Sequence, residues 1–410
     1  MRPFRWYWAA QWPTLLGTWM QVVALGYLVY QTTGSTTAVA VVAAADGIPS
    51  VILSLAGGVL ADRLPRRRIL LVTQSMLGLS AGALAVLVAT HHATFLAILV
   101  VAIVFGATDA ADLPTRQALV ADLVERHLVV NAVALGAAAM SATRIVGPAV
   151  AGLLIGFAGP AVCFGFLAVA YLAPIVVLLT VIPDVKPLPR RAGTTALGEL
   201  VAGLRHAGSD PMVRGLLIVA SVLAFCGVSY MPFLPVLART ELHVGAQALG
   251  IMYSVGGIGG LVGGLAIASM GRGAGRLQLM LVGGIVYAAS LFIVAHSVVL
   301  GLTLPALVGI SFAFVAVNTS MTTLLQTDTD PALRGRLLGI NATIFAGLQP
   351  LGTVAYGLIP HTQLFNAIGI GALLVGAATV IVVVTPSFRA RVNAPSVLPA
   401  GTSAAPDTLA

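Results

Sequence analysis

The stretch Gly58-Val59-Leu60-Ala61-Asp62-Arg63-Leu64-Pro65-Arg66-Arg67-Arg68 joins two long apolar runs, near residues 37–61 and 69–90. Five of its eleven residues are charged, in a chain with only 8% charged residues. A soluble domain carries about 25%. The remainder is 59% hydrophobic, and the mean hydropathy is +1.02. Charges this scarce and this clustered cannot cover a water-exposed surface, which excludes a soluble enzyme, a disordered chain and a nucleic-acid binder. A polytopic membrane protein remains.

Working outward, apolar runs bounded by charges or turn residues predict twelve spans. They lie near 9–31, 37–61, 69–90, 95–122, 130–156, 161–182, 212–237, 247–270, 277–296, 299–325, 337–359 and 363–385. Each has the roughly 20 residues that a ~30 Å hydrocarbon core requires of a helix. A β-barrel needs alternating polarity, and runs such as Val39–Ala45 have none. The fold class is therefore all-α. The fourth span is expected to be interrupted at Pro114.

Basic residues decide the expected orientation. Eighteen lie in one set of connections and termini: Arg2, Arg5, Arg63, Arg66, Arg67, Arg68, Arg126, Lys186, Arg190, Arg191, Arg205, Arg214, Arg272, Arg276, Arg334, Arg336, Arg389 and Arg391. The opposite set holds Arg239 alone, while Arg116 and Arg144 fall inside spans. Both termini are expected on the cytoplasmic side of a bacterial inner membrane. The first run is read as span 1 and not as a cleavable signal peptide. Cys163 and Cys226 sit in apolar runs without metal or disulfide spacing and are read as packing residues.

The chain divides into an N-terminal six-helix half (1–182), a cytoplasmic linker (183–211) and a C-terminal six-helix half (212–385). A disordered cytoplasmic tail (386–410) is expected to follow. Residues 195–206 of the linker have the pattern of a short interfacial helix. At a shift of 205 residues, Gly147-Pro148-Ala149-Val150-Ala151-Gly152 overlays Gly352-Thr353-Val354-Ala355-Tyr356-Gly357. Gly58 likewise overlays Gly263, and Arg67 overlays Arg272. A constant offset of half the chain is what duplication leaves, and parallel six-helix halves with a site between them describe a transporter architecture.

The opening stretch resembles the loop motif of the major facilitator superfamily: a glycine (Gly58), an acid (Asp62), a base (Arg63), then paired bases (Arg66, Arg67), with Pro65 where the family usually has glycine. Span 5 resembles part of that superfamily's antiporter motif in Gly147, Pro148 and Gly152. The upstream glycines of that motif are replaced by Ala134 and Thr143. With Pro114–Leu123, the run Asp330 to Arg336 and the Gly347–Gly352 segment, the chain is similar to the exporter branch that includes bacterial enterobactin exporters. The resemblance implies twelve transmembrane helices in two pseudo-symmetric halves and a cytoplasmic gate at Gly58, Asp62, Arg63, Arg66 and Arg67. It also implies proton-driven efflux of a small organic molecule, a drug, siderophore or secondary metabolite, by alternating access.

Charges inside the membrane carry the rest, since each costs about 2.5–3.5 kcal/mol on insertion scales. Asp46, Asp109, Asp112 and Arg144 qualify. Asp109 lies thirteen residues before Asp122, and Arg144 thirteen after Asn131. Both therefore stand roughly 20 Å from the inner face at a rise of 1.5 Å per residue, with Asp46 at a similar depth. Asp109 and Asp112 share a helix face. A carboxylate that gains and loses a proton is what coupling requires, so the expected carriers are Asp109, then Asp112, then Asp46. Arg144 is expected as their counter-charge or as an anchor for an anionic substrate. Its alternative is a structural Asp–Arg bridge between spans 4 and 5, and for Asp112, nearer Pro114 and Arg116, a place in the cytoplasmic gate with Arg63.

Gln21, Tyr30, Tyr230, Asn318, Asn341 and Gln349 are candidates to line a cavity, against the plainer reading of interhelical hydrogen bonds. Trp6, Tyr7, Trp8 and Trp12 read as an interfacial aromatic belt. His91 and His92 read as a solvated turn, and Asp328 and Asp330 as caps of span 11. No metal site, cofactor, nucleic acid or obligate protein partner is expected. The partners are the lipid bilayer and a small-molecule substrate, with the proton gradient as energy source. Two other functions stay open: a proton-coupled importer of the same fold, and a membrane prenyl transferase using the spacing of Asp109 and Asp112.

Overall fold

A computed structural model describes residues 2–182, 208, 210–270 and 275–393, without the side chains of 55–63, 126, 331–332, 391 and 393. Every regular element is a helix among the described residues. Eleven helical segments are long and apolar enough to cross a membrane. The twelfth is span 1 (Arg2–Thr33), whose polar Gln11, Thr14, Thr18 and Gln21 dilute an otherwise apolar helix. Spans 2 to 5 are Thr36–Arg63, Phe95–Asp122 as the fourth, and between and after these Arg66–Ala89 and Val129–Ala158. Spans 8 to 12 are Ala246–Ser269, Arg276–His296, Leu300–Thr327, Pro331–Gly357 and His361–Val384.

Span 4 runs unbroken through Pro114, correcting the expected interruption. Its length permits the loss of one backbone hydrogen bond where neighbours surround it. The breaks come elsewhere. Span 6 is two helices, Ala161–Ala170 and Leu172–Thr180. Span 7 starts as an α-helix at Pro211–Val222, capped by Asp210 accepting from the Met212 and Val213 amides at 2.8 and 3.3 Å. It then loosens to a π-turn (Leu223–Gly227), tightens to a 3₁₀ segment (Val228–Phe233) and resumes as α-helix at Leu234–Thr240.

Side chains from neighbouring spans satisfy carbonyls in that irregular stretch. Tyr356 Oη donates to Cys226 O at 2.9 Å and Tyr253 Oη to Met231 O at 3.0 Å. Ser229 Oγ donates to Gln349 O at 2.9 Å, which stitches span 7 to span 11. Irregular backbone survives at membrane depth only under such cover.

Glycines at matching positions of the two halves make matching contacts. A Cβ on Gly147 would stand 3.1 Å from Leu16 O and 2.7 Å from Trp19 Cβ on span 1; Gly352, 205 residues on, backs onto Phe225 O of span 7. Gly152 meets Gly250 on span 8, and Gly357 meets Ala40 on span 2. Spans 5 and 1 are thus repeated as 11 and 7, and spans 5 and 8 as 11 and 2.

The close contacts between halves run from one end of the bundle, the end that holds the turn between spans 1 and 2, to mid-depth. At that end Gly26 faces Pro235 and Thr37 Oγ1 donates to Gly357 O at 2.6 Å; at mid-depth Gly47 faces Pro350 and Gly257 packs on the Arg144 backbone. At the opposite, arginine-rich end, Arg66 pairs with Asp122 and donates to Ala118 O at 3.1 Å, and Arg276 donates to Thr327 Oγ1 at 2.7 Å. Both of these ties stay inside one half.

Two expectations change here. The chain after Val384 is not devoid of structure from 386 onward: Pro386–Asn393 is helical, with Phe388 buried against Gly215 and Arg389 Nε donating to Val383 O at 2.8 Å. Phe388 is large and apolar, and the start of span 7 offers it a glycine-floored recess. Tyr7 is 1% exposed and therefore no part of an aromatic belt. The linker residues 183–207 and 209, with the helix expected at 195–206, lie outside the described residues, as does the tail from 394.

Candidate functional site

Two polar groupings interrupt the apolar interior at mid-depth. The first belongs to the N-terminal half. Asp46 on span 2 and Asp109 on span 4 stand at one level, because Gly106, one turn from Asp109, packs directly on the Asp46 backbone. Both carboxylates are accessible: Asp46 is exposed, and the Asp109 side chain is 44% exposed. Asp112 is not; its side chain is 1% exposed.

The counter-charge to this group is Arg116. Its Nε lies 2.7 Å from an Asp112 carboxylate oxygen, and its Nη2 lies 3.8 Å from Asp109. Thr73 Oγ1 donates to the other Asp112 oxygen at 2.7 Å. Arg116 sits four residues after Asp112 and seven after Asp109, so all three ride one helix face. Arg144 takes neither carboxylate. Its guanidinium stands over the Trp19 ring, 5.4 Å from the centroid. The expected bridge from span 5 to span 4 is thus replaced by an ion pair within span 4, where the i, i+4 spacing brings the partners together without any interhelical approach. The guanidinium also lies between the two aspartates, in the place that a divalent cation would need in a prenyl transferase.

The second grouping lies where the halves meet. Arg144 (span 5) and Trp19 (span 1) come from the N-terminal half, and Tyr230, within electrostatic reach of Arg144, comes from the 3₁₀ segment of span 7. A cation over an indole face is worth about 0.5–2 kcal/mol, more as water is excluded. A flat aromatic beside a cation and a phenol makes a surface suited to planar or anionic organic groups.

The other expected lining residues separate. Gln21 is half-buried with its Oε1 unpartnered, and Asn318 and Gln349 are half-buried on spans 10 and 11. Asn341 is buried. Tyr30 stands apart, at the end where the halves touch. With Tyr27, Gln31 and Arg239 it lines a cavity of about 210 Å³, and Arg239 is 6.0 Å from its ring.

Of the motif between spans 2 and 3, Arg66 binds Asp122, and Arg67 donates to the carbonyls of Leu178 and Leu179 at 2.6 and 3.0 Å. Both tie span 3 to its own half. Gly58, Asp62 and Arg63 end the span 2 helix, and their side chains lie outside the described residues. In span 5, Gly147 and Gly152 serve close approach, and Pro148 O touches the level of Gly250. Sequence reasoning missed Arg116, Thr73 and Trp19 as site residues. The Asp109, Asp112, Arg116 spacing held the signal for the first of these.

Residues 1–402 match the family model described as transmembrane secretion effector, of the major facilitator superfamily. The chain belongs to that family. Relatives include the multidrug efflux pump Tap of Mycolicibacterium fortuitum, 27% identical over 89% of this chain and 91% of the relative. The staphyloferrin A transporter of Staphylococcus aureus is 23% identical over 88% and 91%, and the enterobactin exporter EntS of Shigella flexneri 26% over 90% of each. Among solved structures, the nucleoside transporter NupG superposes with a TM-score of 0.76 at 15% identity, over 96% of this chain and all of that one. A bacterial homologue of the iron transporter ferroportin in its inward-facing state gives 0.73 at 15%, over 94% and 99%. These confirm the twelve-span fold of this chain and its place among membrane transporters.

Proposed function

We propose that this chain exports a small organic molecule from a bacterial cytoplasm by alternating access, exchanging it for protons. The observation that carries the reading is Asp109: a carboxylate within the membrane, 44% exposed, loosely held by Arg116 at 3.8 Å while Arg116 grips Asp112 at 2.7 Å. A carboxylate that is neither sealed nor fully paired is free to take a proton, and doing so releases Arg116 wholly to Asp112. The export direction is supported by relatives named as an efflux pump and an exporter.

Basic residues at one end put that end, with both termini, in the cytoplasm. With that orientation the contacts between halves run from the outer end to mid-depth, an arrangement that suits an inward-facing state. Substrate binds between the halves against Arg144, Trp19 and Tyr230. Proton binding at Asp109, with Asp46 as its neighbour at the same depth, biases the rocking of one half against the other. Arg66 and Arg67 keep spans 3, 4 and 6 together as one body during that motion, and the motif that includes Gly58, Asp62 and Arg63 forms the inner latch.

The test uses inside-out vesicles energised to be acidic inside, with anionic and cationic fluorescent dyes added outside. Uptake by wild type that collapses with an uncoupler and with Asp109→Asn is expected. Uptake that survives both removes proton coupling from the reading.

A further inference from the structure

Four polar atoms on three buried side chains of the N-terminal half lack a well-formed hydrogen bond. Tyr7 Oη, Gln11 Nε2 and both amide atoms of Gln74 find no hydrogen bond, and Tyr7, Gln11 and Gln74 are 1%, 8% and 0% exposed. Arg116 Nε beside them is taken by Asp112 at 2.7 Å. Tyr7 Oη lies within hydrogen-bonding reach of the Gln11 and Gln74 side chains, though not in good bonding geometry, and within electrostatic reach of Asp112 and Arg116. Arg116 Nη1 reaches Gln11 Oε1 at only 3.4 Å. Three spans contribute: Tyr7 and Gln11 from span 1, Thr73 and Gln74 from span 3, Asp109, Asp112 and Arg116 from span 4. Tyr171 of span 6 is the remaining ionisable group facing Arg116.

Buried amides and phenols left unpaired are rare, and a buried water usually bridges such groups with about three hydrogen bonds. Arg116 links the cluster to Asp109, whose side chain is 44% exposed. Toward the arginine-rich end, Tyr7 is packed against Leu70, Leu119, Leu178 and Ile182, an apolar plug.

We propose that these side chains enclose bound water, and that this water carries a proton between the exposed Asp109 and the buried Asp112. The proton leaves the Asp109 carboxyl, crosses the water and arrives on an Asp112 oxygen. The negative charge moves to Asp109, and Arg116, protonated throughout, transfers its ion pair from Asp112 to Asp109. The apolar plug stops the proton from running on to the arginine-rich end. This inference deepens the proton-coupled reading and rests on it.

Hydroxyl-radical labelling of the full chain in nanodiscs tests the water directly, because radiolysis of a bound water oxidises the ring beside it. Tyr7 is expected to react at least about tenfold faster than the equally buried Phe164 and Phe233, whose surroundings are apolar. A Tyr7 rate equal to theirs overturns the proposal. Thermal unfolding gives a second arm, since Gln74→Leu removes two unsatisfied atoms. In a dry site that change raises Tm; in a hydrated one it strips hydrogen bonds from the water and lowers Tm, which is the expected result. In vesicles, Gln11→Leu with Gln74→Leu is expected to abolish uphill dye uptake and to leave downhill equilibration within about twofold. Loss of both, or of neither, overturns the relay. Fast Tyr7 labelling together with coupled uptake surviving Asp109→Asn leaves the water in place and removes the coupling reading instead.

Discussion

Gly250 of span 8 and Gly152 of span 5 meet backbone to backbone across the two halves: a Cβ on Gly250 would stand 2.8 Å from Gly152 Cα and 2.5 Å from Pro148 O. No side chain can absorb that overlap, so the backbones must part. Gly250→Val is expected to wedge this end of the bundle open. Spin labels at Gln31 and His243, both exposed near that end, then report a longer distance than in the parent. An unchanged distance means that the contact does not hold the halves together.

Arg116 holds a buried partner, and its removal leaves Asp112 charged and alone. Breaking a buried pair costs about 3–5 kcal/mol, so Arg116→Met is expected to lower the melting temperature sharply. Arg116→Met combined with Asp112→Leu removes both charges and is expected to recover most of the loss. A double-mutant cycle read by thermal unfolding gives the coupling. Additive effects mean that the 2.7 Å contact is energetically idle.

Arg144 supports stability little, because it faces an aromatic ring and no carboxylate. Arg144→Gln is expected to shift unfolding by no more than about 1 kcal/mol, the scale of an accessible cation–π contact. The same change is expected to raise the apparent KM for a transported dye or anion. Trp19→Ala is expected to act in the same direction. A variant that binds normally but unfolds early places Arg144 in the scaffold.

Tyr356 donates across a helix break to Cys226 O at 2.9 Å. Tyr356→Phe removes the donor and leaves a carbonyl within the membrane unpaired, at a cost of about 1–3 kcal/mol. Span 7 is then expected to open more readily around Leu223–Phe233, with faster amide exchange there than in span 9. Exchange unchanged in that stretch means that another donor replaces the phenol.

The twelve spans were legible because bilayer thickness imposes a length and an apolarity that any sequence must display. The duplication was legible too, as glycines 205 apart: Gly147 packs on span 1 as Gly352 does on span 7, and Gly152 on span 8 as Gly357 does on span 2. Charged residues within spans announced themselves by their cost, which is how Asp46, Asp109, Asp112 and Arg144 came forward. What each one touches was not legible. Sequence depth put Arg144 level with Asp109, yet the rotation of span 5 turns it onto Trp19.

The breaks in spans 6 and 7 were hidden for a similar reason. Leu172–Thr180 and Leu223–Gly227 read as apolar helix, and the donors that let span 7 loosen, Tyr253 and Tyr356, lie 22 and 130 residues from the carbonyls they cap. The composition of this chain by itself determined that it lives in a membrane, how often it crosses, and which end gathers the basic residues, since these follow from solvation summed along the chain. Only the tertiary structure decided which arginine answers the aspartates, which glycines close the bundle and where a helix breaks. Those depend on helix rotation and on partners distant in sequence, and no local free energy encodes them.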